Sequence, residues 1–164
     1  MKDNRLQAQR SLPLSSWHIV FPNDTNPHGT MFGGKVMAIM DIQAGIVATQ
    51  YCHRMVVTAS TEAVDFRNPV KVGDRLETIA RVVYVGKTSM VVRIDAYAEN
   101  PLSGKRKHCT TAYFNMVALD EDGAPTTIPP LIVETDEEKR DFELAKHIKE
   151  AATERKKRFA DTSL

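Results

Sequence analysis

The sequence predicts an α+β domain, a curved antiparallel sheet of about five strands wrapped around one long central helix, with a further helix at the C-terminus. Three observations carry this. A proline-free segment over about 34–51 is apolar on almost every side, the pattern of a helix buried on most faces. Segments that alternate in polarity or are rich in β-branched residues follow it, separated by turn residues. A helix of that kind needs a curved sheet around it, and the edges of such a sheet invite pairing with a second copy.

Residues 1–16 are polar and read as a loose arm. Trp17-His18-Ile19-Val20-Phe21 reads as a short strand closed by Pro22, and 22–34 collects Pro, Asn, Asp, Thr and Gly into a loop that bends the backbone and presents short polar side chains. The central helix follows at once. Alternation over about 56–66 marks a strand, 76–85 and 88–99 mark a hairpin split at Gly86-Lys87, and 107–119 marks a last strand ended by Asp120-Glu121-Asp122-Gly123. Prolines 125, 129 and 130 make the next stretch irregular. A charged amphipathic helix then runs over about 135–158, acidic at its start and basic at its end, as the helix dipole favours. The expected organisation is an arm (1–16), one domain (17–133) and a C-terminal helix with its tail (134–164).

At 164 residues the chain has room for a single core. Twenty-two Lys and Arg stand against twenty-one Asp and Glu, so the basic excess of a nucleic-acid groove is missing. No apolar run is long enough to cross a bilayer and the first residues lack the apolar segment of a leader, which points to the cytoplasm and away from membranes. Cys52 and Cys109 each adjoin a histidine, His53 and His108, without a Cys-x-x-Cys spacing. Neighbours on a strand point to opposite faces, so these pairs make poor Cys/His nucleophiles, and they are expected as buried free thiols with no metal site.

Asp41 is the residue that needs a reason. It lies inside the apolar run Val36-Met37-Ala38-Ile39-Met40-Asp41-Ile42-Gln43-Ala44-Gly45-Ile46, and nothing at helical spacing offers it a cation. A carboxylate buried without a partner costs several kcal/mol, which a fold tolerates where something is gained, and catalysis is one such gain.

Asn26-Pro27-His28-Gly29-Thr30-Met31-Phe32-Gly33-Gly34-Lys35, running on to Asp41, resembles the acyl-CoA hydrolase branch of the hotdog-fold thioesterases. The likeness continues through Val57-Thr58-Ala59-Ser60, Asp65-Phe66, Val72-Gly73-Asp74, Lys87-Thr88-Ser89-Met90 and Pro130-Leu131-Ile132-Val133-Glu134-Thr135, and so spans nearly the whole chain. It implies hydrolysis of acyl-CoA to fatty acid and coenzyme A, with no cofactor, by a homodimer assembled further to a hexamer. It also implies roles: Asn26 to position substrate, Gly33 or Gly34 to donate to the oxyanion, Asp41 as catalytic carboxylate.

Each role has physical content. The first N–H groups of a helix are unpaired and carry positive dipole, which suits a developing oxyanion, although two glycines also serve simply to start a helix. Asp41 lies eight residues after Gly33, roughly 12 Å along a helix, so it cannot reach a carbonyl held at its own Gly33. If both act on one substrate, the carboxylate comes from a second subunit whose helix runs antiparallel. Asp41 is then either a general base on water or a nucleophile, and Asn26 either a substrate ligand or a turn residue. Thr58 and Ser60, sharing a parity on the next strand, are hydroxyls that could hold the water. Gly86-Lys87-Thr88-Ser89 ends like a phosphate-binding loop, but the earlier glycine is replaced by Arg81 and a strand follows where a helix is needed. The likeness instead lays this turn along coenzyme A, with Lys87 as a cation and Lys105, Arg106 and Lys107 as further candidates. The rival readings are an acyl-carrier-protein hydrolase or dehydratase, for which His28 is the only histidine in the site loop, and a non-catalytic acyl-CoA or nucleotide binder.

Overall fold

A computed structural model describes residues 6–162. Its elements are β1 (Leu14–Ile19), α1 (Gly33–Cys52), β2 (Met55–Thr61), β3 (Arg75–Val85), β4 (Ser89–Glu99), β5 (Arg106–Leu119) and α2 (Asp136–Thr162). The five strands form one antiparallel sheet in the order β1-β3-β4-β5-β2, which leaves β1 and β2 as its edges.

The concave face of the sheet closes on α1. Val36, Met40, Ala44, Val47 and Ala48, at helical spacing, pack with Leu76, Ala80, Met90, Ile94, Phe114 and Met116 in one buried cluster. Gln43 pins the helix to the sheet, its Nε2 donating to the carbonyls of Leu14 (2.7 Å) and Thr78 (3.1 Å). The helix ends at Cys52, where His53 takes the left-handed conformation (φ 50°) and its N–H returns to Thr49.

The first half of α2 covers the other face. Val83, Val91 and Ala145 form a second cluster bordered by Tyr84 and Tyr113, and the rings of Tyr84 and Phe142 lie 5.0 Å apart. Asp141, buried, bridges Arg81 and Arg93. Strands β3 and β4 are thus covered on both sides, which is why they read as apolar runs more than as clean alternation.

Two expectations change. The arm is not loose from Gln9 onward: Gln9 exchanges backbone hydrogen bonds with Pro130 and Ile132, Ser11 Oγ accepts from the N–H of Val82, and the first strand starts at Leu14, ahead of Trp17. Residues 1–5 lie outside the described residues. Helix α1 is buried on one side, not on most, leaving Ile42 65% and Ile46 46% exposed. The sheet of one chain reaches around only one flank of the helix, so the second apolar flank has no cover within the chain.

Candidate active site

The loop before α1 is held by its own polar side chains. Asp24 accepts from the N–H of Phe21 (2.9 Å) and pairs with Lys35 (2.6 Å); the hydrogen bond from Lys35, then that from Phe21, hold its carboxyl below the usual range. Asn26 knits the tip of the loop. Its Oδ1 accepts from the N–H groups of His28 (3.0 Å) and Thr30 (3.3 Å), and its Nδ2 donates to Thr30 Oγ1 (2.9 Å). Gly29, at φ +73°, makes the turn possible. Asn26 is therefore a turn residue in the chain, with one amide proton to spare.

This loop delivers an uncapped helix start. Phe32 contributes no capping side chain, its carbonyl accepts from Lys35 (2.8 Å) and Val36 (3.2 Å), and among the described residues the N–H groups of Gly33 and Gly34 meet no acceptor. These two donors carry the positive end of the helix dipole. A Cβ on Gly34 would come within 2.8 Å of the Phe32 ring, and one on Gly33 within 3.5 Å of the Phe66 ring. Gly34 thus admits no side chain unless the Phe32 ring moves, whereas the contact at Gly33 is an ordinary one. An open groove beside them is lined by Thr30, Gly33, Val36, Phe66, Arg67 and Asn68.

Asp41 sits on the uncovered flank of α1, exposed within the chain and not buried as its apolar neighbours implied. Its Oδ1 accepts from Thr58 Oγ1 at 2.7 Å, and Thr58 also lies 3.6 Å from Met116 Sδ. The structure thus brings Asp41 and Thr58 together. It keeps both apart from Asn26, Gly33 and Gly34, which stand one end of the helix away, roughly 12 Å by helical rise.

Ser60 does not join them. The register pairs Thr58 with Met116 and Ser60 with Asn115, consecutive residues of β5, so a bulge at Ala59 turns Ser60 to the opposite face of the sheet. There it accepts from Asn115 Nδ2 at 3.0 Å. Equal parity in sequence had placed Thr58 and Ser60 side by side, and a bulge is what breaks that rule.

Gly86, Lys87 and Thr88 make the β3–β4 turn, with Lys87 exposed and Ser89 buried at the head of β4. Strand pairing puts Thr58, Met116 and Met90 in one row, so this turn lies about two strand spacings, roughly 10 Å, from the Asp41–Thr58 pair. Lys105, Arg106 and Lys107 lie at the other end of β4, roughly 30 Å away along the strand. Arg106 is also engaged, donating to Glu77 (2.8 Å) and lying 3.4 Å from the Tyr97 ring centre. In one chain these two basic groups cannot hold the same nucleotide.

Cys52 and Cys109 are buried free thiols, and burial pushes both up from the usual thiol range, so neither is poised as a nucleophile. Among the described residues no three His, Cys, Asp or Glu side chains gather as a metal site. Sequence reasoning gave no role to Phe66, which walls the groove beside Gly33. An apolar ring 50% exposed just beyond a strand is the signal that marks it.

A family model of the thioesterase superfamily matches residues 28–105. An uncharacterized acyl-CoA thioester hydrolase of Bacillus subtilis, YkhA, is 41% identical over 119 residues, 73% of this chain and 69% of its own. Among solved structures, the acyl-CoA hydrolase of Staphylococcus aureus, with butyryl coenzyme A, coenzyme A and coenzyme A disulfide, superposes with a TM-score of 0.84 at 37% identity over 92% of both chains. Mutants of that hydrolase, with an aspartate, a threonine or an asparagine changed to alanine, have also been solved. A hexameric acyl-CoA thioesterase superposes at 0.83 with 40% identity, covering 87% of this chain and 92% of its own. A sheet curled on one long helix, free N–H groups at the start of that helix and this degree of likeness lead to one conclusion: the chain belongs to the thioesterase superfamily, among its hotdog-fold acyl-CoA hydrolases.

Proposed function

We propose that this chain hydrolyses fatty acyl-CoA to free fatty acid and coenzyme A in a site completed by a second copy. The observation that carries the reading is the split of the machinery along α1: free N–H groups at Gly33 and Gly34, and a hydroxyl-held carboxylate at Asp41 eight residues on. Two helices α1 lying antiparallel on their uncovered flanks bring one chain's donors to the other's carboxylate.

In such a site the thioester carbonyl points at Gly33 and Gly34. Asp41 of the facing copy takes a proton from a water whose oxygen attacks the carbonyl carbon, and the oxyanion formed is held by the helix-start donors. Collapse breaks the C–S bond and coenzyme A departs as a thiolate. Thr58 holds Oδ1 of Asp41, leaving Oδ2 for the water. Asn26 uses its remaining amide proton on substrate, Phe66 and its neighbours wall the groove, and Lys87 at the turn with Gly86, Thr88 and Ser89 faces the phosphates of coenzyme A. The aspartate, threonine and asparagine replaced in the Staphylococcus aureus hydrolase are the residue types of Asp41, Thr58 and Asn26. Protein groups and water suffice, so no metal or cofactor enters. The working form is a homodimer assembled to a hexamer, and the buried reduced thiols suit the cytoplasm, where the reaction serves fatty acid metabolism. His28, exposed and joined to Asn26 only through its backbone, is not placed as the base a dehydratase needs.

The test follows free-thiol release from a ladder of acyl-CoAs. Asp41→Asn should lose about a thousandfold in kcat, within the range for removing a positioned base. Equal mixtures of Asp41→Asn and Asn26→Ala subunits should recover about a quarter of wild-type turnover, because a mixed dimer keeps one intact site. Turnover that survives Asp41→Asn sinks the mechanism; no recovery after proven subunit exchange sinks the shared site.

A further inference from the structure

The second half of α2 runs past the outer face of the sheet and borders a half-open cavity of about 100 Å³ between itself, β2 and β5. Its floor is polar: Ser60, turned outward by the bulge at Ala59, and Asn115 of β5. Asn115 is 1% exposed, its Nδ2 is spent on Ser60, and its Oδ1 has no partner. A buried amide oxygen without a donor is costly unless something enters the cavity beside it. Turning the amide over lets Ser60 donate to Oδ1 and frees both Nδ2 hydrogens toward the cavity. Either orientation offers an incoming oxyanion a donor, the Ser60 hydroxyl or the Asn115 amide.

The walls are basic. Lys149 and Lys156, seven residues apart on one side of α2, both line the cavity, and among the described residues neither has an acidic partner. Arg155 also lines it and is only loosely paired, with Glu62 at 3.7 Å. Burial, then the charge of Lys156, push the Lys149 ammonium below the usual lysine range, and an anion beside both would stabilise their charged forms.

We propose that this cavity is an anion site for a phosphate group, with Lys149 and Lys156 as its charges and Ser60 with Asn115 as its buried donors. It lies on the opposite face of the sheet from Asp41 and stands independently of the thioesterase reading. The phosphate is either free or carried on a nucleotide, and both present the same three oxygens.

Titration calorimetry at low salt on the whole chain separates the sources, using inorganic phosphate and adenosine 3′,5′-bisphosphate as probes and dephospho-coenzyme A, which carries no phosphate monoester, as the control. At least one of the two probes should bind, and Lys149→Gln with Lys156→Gln should weaken it by about tenfold per lysine, the worth of a charge-assisted contact. Asp41→Asn should leave that affinity alone. Binding of inorganic phosphate as well as the bisphosphate supports a general phosphate site, whereas a bisphosphate-only response supports a nucleotide-borne one. Equal affinity in wild type and the double lysine variant, with helicity unchanged by circular dichroism, overturns the proposal, as does no binding of any probe. Asn115→Asp tests the floor separately: a negative charge there should abolish phosphate binding, and affinity that survives it sinks the site.

Discussion

The hydrogen bond of 2.7 Å from Thr58 to Asp41 joins two side chains that are both exposed within the chain, so it can be removed at little cost to the fold. Its value lies in orientation, because a carboxylate with one oxygen held presents the other in a fixed direction. Thr58→Val should therefore cut kcat about tenfold or more, as expected for a hydrogen bond to a charged group, with KM and melting temperature little changed. A variant with wild-type kcat, measured by thiol release, would remove Thr58 from the site. If Asp41 acts as a base, a single turnover in heavy-oxygen water puts the label into the fatty acid. Label in the Asp41 carboxyl, read by mass spectrometry, would show attack by the carboxylate itself. The cysteines give an opposite kind of prediction. Burial raises both thiols, so at pH 8 less of each is thiolate than for a free cysteine, and Cys52 and Cys109 should react slowly with Ellman's reagent until guanidinium exposes both. A fast phase in the native protein would contradict that burial.

At the scale of elements, Asp141 is the buried ionic fastening of α2. It lies between Arg81 and Arg93, about a quarter exposed each, so removing its charge leaves Arg81 with only the exposed Glu137 and Arg93 with only Asp95 as counter-ions. Asp141→Ala should cost about 2–3 kcal/mol, below the cost for a fully buried pair because water still reaches the arginines. Glu137 contacts the same Arg81 but is 67% exposed, and Glu137→Ala should cost under ~0.5 kcal/mol. Urea midpoints at constant slope measure the difference, and equal costs would show that α2 does not depend on the buried acid. The elements themselves were legible, since the change from an apolar run without proline to two-residue alternation near residue 54, the turn at Gly86-Lys87 and the acid-to-base gradient of the last helix are local signals. The bulge at Ala59 was not, because nothing in Val57-Thr58-Ala59-Ser60 distinguishes an extra unpaired residue from regular alternation. For the same reason the sequence could bring Asn26, the glycines and Asp41 forward as candidates yet could not separate Thr58 from Ser60.

On the scale of the whole molecule, Asp41 stands on an apolar flank that the chain leaves open. Ile42 and Ile46 on α1, one helical turn apart, are 65% and 46% exposed. Two large apolar side chains stacked beside a carboxylate on one open flank mark a face made to be covered. In a dimer with antiparallel helices the same patch meets itself, so each substitution is felt twice. Burying an isoleucine is worth about 1.5–3 kcal/mol, and placing an arginine there adds the desolvation of two like charges across the axis. Ile46→Arg should therefore give a monomer in sedimentation velocity, with helix α1 and the core intact by circular dichroism, since its buried flank is untouched. That monomer keeps Asp41, Thr58, Gly33, Gly34 and Asn26, yet it should be inactive because no second helix brings donors to its carboxylate. The control is Leu102→Arg in the β4–β5 turn, 96% exposed and remote from α1, which should change neither size nor turnover. An active Ile46→Arg monomer would place the whole reaction within one chain and refute the shared site, whereas an inactive monomer beside an active Leu102→Arg oligomer ties catalysis to the meeting of the two helices.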